Sequence, residues 1–383
     1  MIPALAAALA EREAAGLYRR RRVVDAAAGP RMTLDGRPLV AFCSNDYLGL
    51  AAHPAIVAAF TAAAVKHGVG AGAAHLVSGH HHLHHELEDA LAAYTGRERA
   101  LLFSTGYMAN LGIGHAFARR GALVVEDRLN HASLIDAGRG AGVLLKRYTH
   151  GDAAAAASAL DQDAPVKLLV TDGVFSMDGD IAPLPALAAA CDAHGAMLVV
   201  DDAHGLGVVG ATGRGTLEQF GLDAHEVPVL MGTLGKAFGV FGAFVAGPAE
   251  VIETLIQQAR TYIYTTALPP AVAAAALTAL RVSDGESWRR KRVLALVKRF
   301  RAGAVQLGLP LADSPTPIQP LVVGGSAQAL KCAQALEHAG FLVTPIRPPT
   351  VPDGTARLRV TLSAAHTDDE VDALLDALAG VFR

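Results

Sequence analysis

Cysteine is scarce in this sequence: 383 residues contain Cys43, Cys191 and Cys332 and no others. An odd number, so widely spaced, argues against a disulfide framework or a zinc knuckle and suits a reducing, cytoplasmic setting. Charged residues make up only 18%, for a formal net charge of −3, so electrostatics give no footing for nucleic acid or an anionic membrane as partner. No uninterrupted apolar run reaches the length of a membrane span, and Met1-Ile-Pro-Ala-Leu5 lacks the basic region that opens a secretory signal. His-Glu-x-x-His, the helical zinc-hydrolase pattern, is missing too. What is plentiful is apolar: 52% hydrophobic residues exclude a disordered chain and predict a sizeable core, arranged as one large domain and a smaller one.

Within that core the chemistry gathers around Leu230-Met-Gly-Thr-Leu-Gly-Lys-Ala-Phe-Gly239. The apolar run Val227–Met231 predicts a buried strand, and Lys236 follows it in a glycine-rich loop. A lysine desolvated there has a lowered pKa and can form a Schiff base. Taken alone, a surface lysine in a glycine loop is the better reading. Upstream, however, Met197-Leu-Val-Val-Asp-Asp-Ala-His-Gly205 ends a second apolar run in Asp201 and Asp202, with His204 close behind. The 35 residues from Asp201 to Lys236 leave room for a connection and one further strand, which predicts neighbouring strand ends. An amine for an aldehyde and a carboxylate to keep a pyridine nitrogen protonated match the needs of pyridoxal phosphate, PLP.

Taken in order, the chain opens with an alanine-rich helix expected to reach about residue 22, where Arg19–Arg22 favour its C-terminal dipole. Two short strands follow around the turn Asp35-Gly36, then the loop Ser44–Leu50 and a helix from about His53 to Lys66. Gly68-Val-Gly-Ala-Gly-Ala-Ala-His-Leu-Val-Ser-Gly79 is not a dinucleotide fingerprint, because a helix rather than a strand precedes it. His80-His-His-Leu-His-His85 offers i, i+4 pairs, His80/His84 and His81/His85, but reads better as the entry to the helix Glu86–Tyr94, and no metal is assigned. From Ala100 strands alternate with helices, which predicts an α/β fold with a mostly parallel sheet. Ser104, Thr105 and Gly106 follow the first of these strands at a helix start, a ready phosphate site. Beyond residue 270 a long helix and strands near Ile318–Val323, Leu342–Ile346 and Arg357–Thr361 predict a small α+β domain. The expected division is therefore 1–45, an N-terminal helix and strands packing with the small domain; 46–270, the large domain; and 271–383, the small one. In the last strand, alternation puts Arg357 and Arg359 on one face, and Arg suits a bidentate carboxylate grip.

With these pieces in place, the chain resembles the α-oxoamine synthases, a family of fold-type-I PLP-dependent transferases, over essentially its whole length. The carriers are Ser44-Asn-Asp-Tyr-Leu-Gly49, Asn130-His-Ala-Ser133, Gly173-Val-Phe-Ser-Met-Asp-Gly-Asp180, Asp201-Asp-Ala-His-Gly205 and Thr233-Leu-Gly-Lys236. Ile346–Pro352 and the arginines after Tyr18 are similar to the oxononanoate-forming branch in particular. The resemblance implies that Lys236 bonds the cofactor, Asp201 pairs with its pyridine nitrogen and His131 stacks on its ring. Ser176 and His204 would contact the ring's phenolic oxygen. Gly106, Tyr107 and Thr233 would hold the phosphate, joined by Thr265 and Thr266 from the other subunit of a homodimer. Arg359 with Asn45 would take the amino-acid carboxylate, with Arg347 the next choice for that role, while Arg19 and Thr350 would touch the acyl substrate. Asp172 departs from the pattern, standing where glutamate is expected.

The activity implied is condensation of L-alanine with a pimeloyl thioester, carried on CoA or an acyl carrier protein, with loss of CO2 to give 8-amino-7-oxononanoate for biotin biosynthesis. Lys236 and His204, with Asp201 and His131, are the expected catalytic groups. The nearest alternative is a sister reaction such as glycine C-acetyltransferase, which substrate competition separates. A non-catalytic PLP-fold binding module would lack turnover. Metal hydrolysis at the histidine run would be lost to chelators yet survive Lys236→Ala.

Overall fold

The structure is a computed structural model and describes residues 2–382. They form two compact units, Leu48–Ser176 with Asp180–Arg290, and Met1–Tyr47 with Met177–Gly179 and Lys291–Arg383. The larger unit holds a seven-stranded sheet in the order Arg99–Phe103, Ala243–Gly247, Val229–Thr233, Met197–Asp201, Lys167–Asp172, Leu123–Asp127, Leu144–Tyr148. Alternate residues of these strands feed two cores. Leu123, Val125, Leu169, Leu198, Val200 and Leu230 pack on one face with Leu160, Leu184 and Leu187 from helices. Val124, Leu168, Val170, Val199, Val229 and Met231 pack on the other with Ile113, Ile252 and Leu255. A strand buried on both faces needs apolar residues at every position, which is why these segments read as continuous runs without alternation.

Five neighbouring strands pair in parallel, but Ala243–Gly247 runs antiparallel to both its neighbours. Only Leu234–Gly242 separate it from Val229–Thr233, too few for the dozen or more residues of a parallel crossover, so the chain must turn straight back. Lys236 therefore sits at the tip of a hairpin. Its neck is closed by Leu234 N–H donating to Gly242 O at 2.9 Å and Val240 N–H donating to Leu234 O at 2.9 Å.

Several boundaries differ from the sequence-based expectation. The division falls after Arg290 rather than at 270. The helix Pro270–Gly285 buries Ala273, Ala276, Leu277 and Leu280, packing on Pro54–His67 and His82–Thr95 of the larger unit, so its apolar stripe belongs there. The histidine-rich helix begins at His82, not Glu86, because the His81 side chain caps it.

In the smaller unit, Ile318–Gly324, Ala356–Thr361 and Thr344–Ile346 form an antiparallel sheet. Val24–Ala28, Arg31–Leu34, Arg37–Ala41 and Phe341–Leu342 form a second. The single strand expected at Leu342–Ile346 is thus divided between two sheets at Val343. The first helix is Ile2–Ala14 and does not reach the arginines. Gly16, at φ +67°, turns the chain left-handed while Leu17 N–H donates to Arg12 O at 2.8 Å, a glycine stop. Arg22, freed from the helix, pairs instead with Asp35 and Glu337.

Candidate active site

The larger sheet grows in one direction as far as Leu144–Tyr148 and then in the other, so its switch point lies between Leu123–Asp127 and Lys167–Asp172. Carboxyl ends of parallel strands at a switch leave a crevice for ligands. Asp172 and Asp201 close two of these strands, and His131, His204 and Lys236 follow within a few residues of strand ends at the same edge. Residues far apart in sequence are thereby brought to one rim.

Their hydrogen bonds include a Lys236–His204 pair and a series from Asp201 through Asn110 and Ser133 to His131. Lys236 Nζ lies 2.8 Å from His204 Nε2. Asp201 is buried, with Oδ1 accepting Ala203 N–H at 3.0 Å and Oδ2 accepting Asn110 Nδ2–H at 2.7 Å. The same carboxamide donates to Ser133 Oγ at 2.8 Å, and Ser133 Oγ lies 2.7 Å from His131 Nδ1. Because His131 Nδ1 also accepts Ser133 N–H at 3.3 Å, it is an acceptor, and the ring's hydrogen belongs on Nε2. Burial, with Lys236 nearby, lowers the His131 pKa and outweighs the opposing charge of Asp201, so the ring is neutral.

Asp172 accepts the backbone N–H of His131 at 2.6 Å, so the short side chain acts on that histidine's placement. Burial and then the Asp201 charge push its carboxyl well above the usual range. Asp202, beside Asp201 in sequence, does something else. Its Oδ2 accepts Thr216 N–H at 2.7 Å and fixes a turn, and burial pushes its pKa up to about 7.

Gly106 and Tyr107 open the helix Gly106–Phe117, capped by Thr105 Oγ1, which accepts Met108 N–H at 3.2 Å. Their own N–H groups, orphaned by position, have no acceptor among the described residues. The Tyr107 hydroxyl donates to Asp136. Thr233 Oγ1 donates to Gly242 O at 3.1 Å and accepts Gly235 N–H at 3.2 Å, bracing the lysine hairpin. Ser176 lies four residues beyond the end of Lys167–Asp172, in the connection to the helix Leu184–His194. Thr265 and Thr266 are not joined to this network by any hydrogen bond among the described residues; Thr266, exposed, bridges to Ala74.

The smaller unit holds the remaining candidates. Arg359 is buried, Nη2 donating to Asn45 Oδ1 at 3.2 Å and Nη1 to Thr361 Oγ1 at 3.0 Å. Arg357, expected on the same face, is committed to Asp178. Arg19, Arg347 and Thr350 line one cavity of about 840 Å³ together with Tyr18, Arg20 and Cys43, and Arg347 also donates to Gly16 O. Asn110 was not singled out by sequence, and Ser133 only as part of the motif Asn130–Ser133. A signal for Asn110 existed: it is a polar residue on the buried face Ala109, Asn110, Ile113, Ala116 of an otherwise apolar helix.

The chain is similar to known proteins over nearly its whole length. The family model for class I and II aminotransferases matches residues 37–378. An 8-amino-7-oxononanoate synthase of Thioalkalivibrio sulfidiphilus is 60% identical over 373 residues, covering 97% of this chain and 95% of that protein. Among solved structures, a serine palmitoyltransferase from S. paucimobilis with PLP bound superposes with a TM-score of 0.93 at 31% identity, over 99% of this chain and 96% of that one. An 8-amino-7-oxononanoate synthase from Francisella tularensis gives 0.78 at 30% identity, over 89% and 97%. Identity at this level, spread over nearly the whole length and joined to an amine, an imidazole and a buried carboxylate at one sheet edge, places the chain: it belongs to the class I and II aminotransferase family and, within it, to the 8-amino-7-oxononanoate synthase family.

Proposed function

We infer that the chain is an acyltransferase that condenses L-alanine with a pimeloyl thioester, releasing CO2 and the free thiol and giving 8-amino-7-oxononanoate for biotin biosynthesis. The observation that carries the reading is the Lys236 amine held 2.8 Å from His204 at the rim that also carries Asp201. The donor set suits PLP: a primary amine, a buried carboxylate and orphaned N–H groups at a helix start. When bound, PLP supplies an aldehyde for that amine and an electron-accepting ring.

Each residue then has a task. Asp201, its oxygens oriented by Asn110 and Ala203, would keep the proton on the pyridine nitrogen. His131, neutral and fixed through Ser133 and Asp172, would stack on the ring. His204 and Ser176 would address the phenolic oxygen, while Gly106, Tyr107 and Thr233 would hold the phosphate. The Lys236 amine takes the proton from alanine Cα as general base. Arg359, positioned by Asn45 and Thr361, grips the alanine carboxylate bidentately. Arg19 and Arg347, with Thr350, suit the distal carboxylate of a long anionic acyl chain, which favours pimeloyl over the short uncharged acetyl of the sister reaction. Thr265 and Thr266 serve the partner's cofactor in a cytoplasmic homodimer. No helix among the described residues is long and apolar enough to cross a membrane.

The test is the absorbance of purified protein before and after L-alanine, for wild type and Lys236→Ala, followed by turnover of pimeloyl and acetyl thioesters. A visible band that alanine perturbs, altered in the variant, with turnover of the pimeloyl thioester, is expected. A colourless protein that PLP does not reconstitute would overturn the reading, and preferential acetyl transfer would replace it with the sister reaction.

A further inference from the structure

The histidine-rich segment takes no part in this chemistry, yet three groups of its side chains bring ligand atoms within 4.8 Å of one another: His75/His80/His84, His67/His81/His82 and His80/His85/Glu88. Their hydrogen bonds tell them apart. His84 is saturated, Nδ1 accepting His81 N–H at 2.9 Å while Nε2 faces Leu268 O at 2.7 Å and must donate to it. It has no lone pair for a cation. In the second group His81 Nδ1 accepts Leu83 N–H at 3.3 Å, which puts the neutral ring's hydrogen on Nε2 and leaves no free lone pair there.

The third group is prepared differently. His80 Nδ1 and His75 Nδ1 lie 3.0 Å apart, so one donates to the other. With His80 as donor, its Nε2 lone pair points outward, 4.0 Å from Glu88 Oε2. Glu88 is anchored through Oε1, which accepts Leu102 N–H at 2.9 Å, and its Oε2 has no hydrogen-bond partner among the described residues. His85 lies three residues before Glu88 on the same helix, hence on the same face, and is open to solvent. A cation beside Oε2 would favour the ionised form of this carboxyl, which is only 9% exposed. Two imidazoles and a carboxylate, each backed by a second hydrogen bond or a helix, are a zinc-type ligand set with a fourth position left for water.

We propose that His80 Nε2, His85 and Glu88 Oε2 form a binding site for a divalent transition-metal ion of the zinc class, clipping the turn before the helix His82–Thr95 to its second turn. The site is separate from the Lys236 network and does not rest on the reading of that network. Zinc chloride titrated into the holoprotein against a chromophoric chelator tests it. Wild type binds one ion per chain and melts at higher temperature with zinc. Because losing even a supporting partner costs a metal site about 10–100-fold, His80→Ala with His85→Ala lowers affinity by at least ~100-fold. Glu88→Gln, which can still accept from Leu102 N–H, lowers it by about 10-fold or more. His67→Ala with His82→Ala binds as wild type does, and turnover of alanine is unchanged in both double variants. No binding at micromolar zinc, or binding that survives the His80/His85 change, overturns the proposal. So does binding lost instead with His67 and His82.

Discussion

Removing the carboxamide of Asn110 would leave Asp201 Oδ2 and Ser133 Oγ facing a methyl group in a buried place. Asn110→Ala should cost about 1–3 kcal/mol of stability, the usual penalty for stranding buried polar groups. It should also lower kcat with little change in KM, because the misplaced groups act on the reaction more than on binding. Thermal melts and steady-state kinetics check both halves, and an unchanged kcat would remove Asn110 from the positioning of Asp201 and His131. His150 allows a test in pH. Its ring lies 3.0 Å from Asp127 through Nδ1 and 2.9 Å from Asp180 through Nε2. Burial alone would lower its pKa, but the two carboxylate hydrogen bonds win and raise it to about 10. A folded pKa above the unfolded one means the stabilisation is complete below about pH 6.5 and fades as pH rises toward 10. The melting-temperature gap between wild type and His150→Gln should therefore be widest near pH 6 and close toward pH 10. A gap that widens with alkali would show that the ring is neutral in the folded protein.

Elements explain what was legible in the chain and what was not. Buried strands announce themselves as apolar runs, so Met197–Val200 and Val229–Met231 could be read with Asp201 and Lys236 at their ends. Caps such as Thr105 and His131 depend on neighbours two or three residues away, and they too leave local marks. The Asn110–Asp201 bond joins residues 91 positions apart, and no local pattern encodes it. Arg19–Arg22 misled for a physical reason: charge favours a helix end, but Gly16 had already ended the helix. Helix packing supplies a test at this scale. Gly114 faces the C-terminal end of Ala132–Ala137 so closely that a Cβ would meet Ala137 O at 2.4 Å. Gly114→Ala should gain helix propensity yet lose about 1–3 kcal/mol to overpacking. It should also shift the helix that His131 caps, lowering kcat. A variant as stable and active as wild type would mean that the two helices part at no cost.

At the scale of the whole molecule, the proposed homodimer gives Thr265 and Thr266 a test. If they complete the partner's site, Lys236→Ala and the Thr265→Ala/Thr266→Ala double variant are each inactive alone but complement when mixed. Random reassortment makes half the dimers mixed, each with one intact site, so about a quarter of wild-type activity should return. Recovery of none, with subunit exchange confirmed by mass, would place both threonines outside the shared site.

The three-part construction of the smaller unit has a consequence for synthesis on the ribosome. Val40 and Ala41 finish their sheet by pairing with Phe341 and Leu342, about 300 residues later in the chain. At translation rates of about 5–20 residues per second, the strand Arg37–Ala41 waits some 15–60 seconds with that edge open. An unpaired edge is an invitation to foreign strands. The nascent chain therefore passes most of its emergence with that edge unpaired, until about the last ninth of the protein arrives to close it.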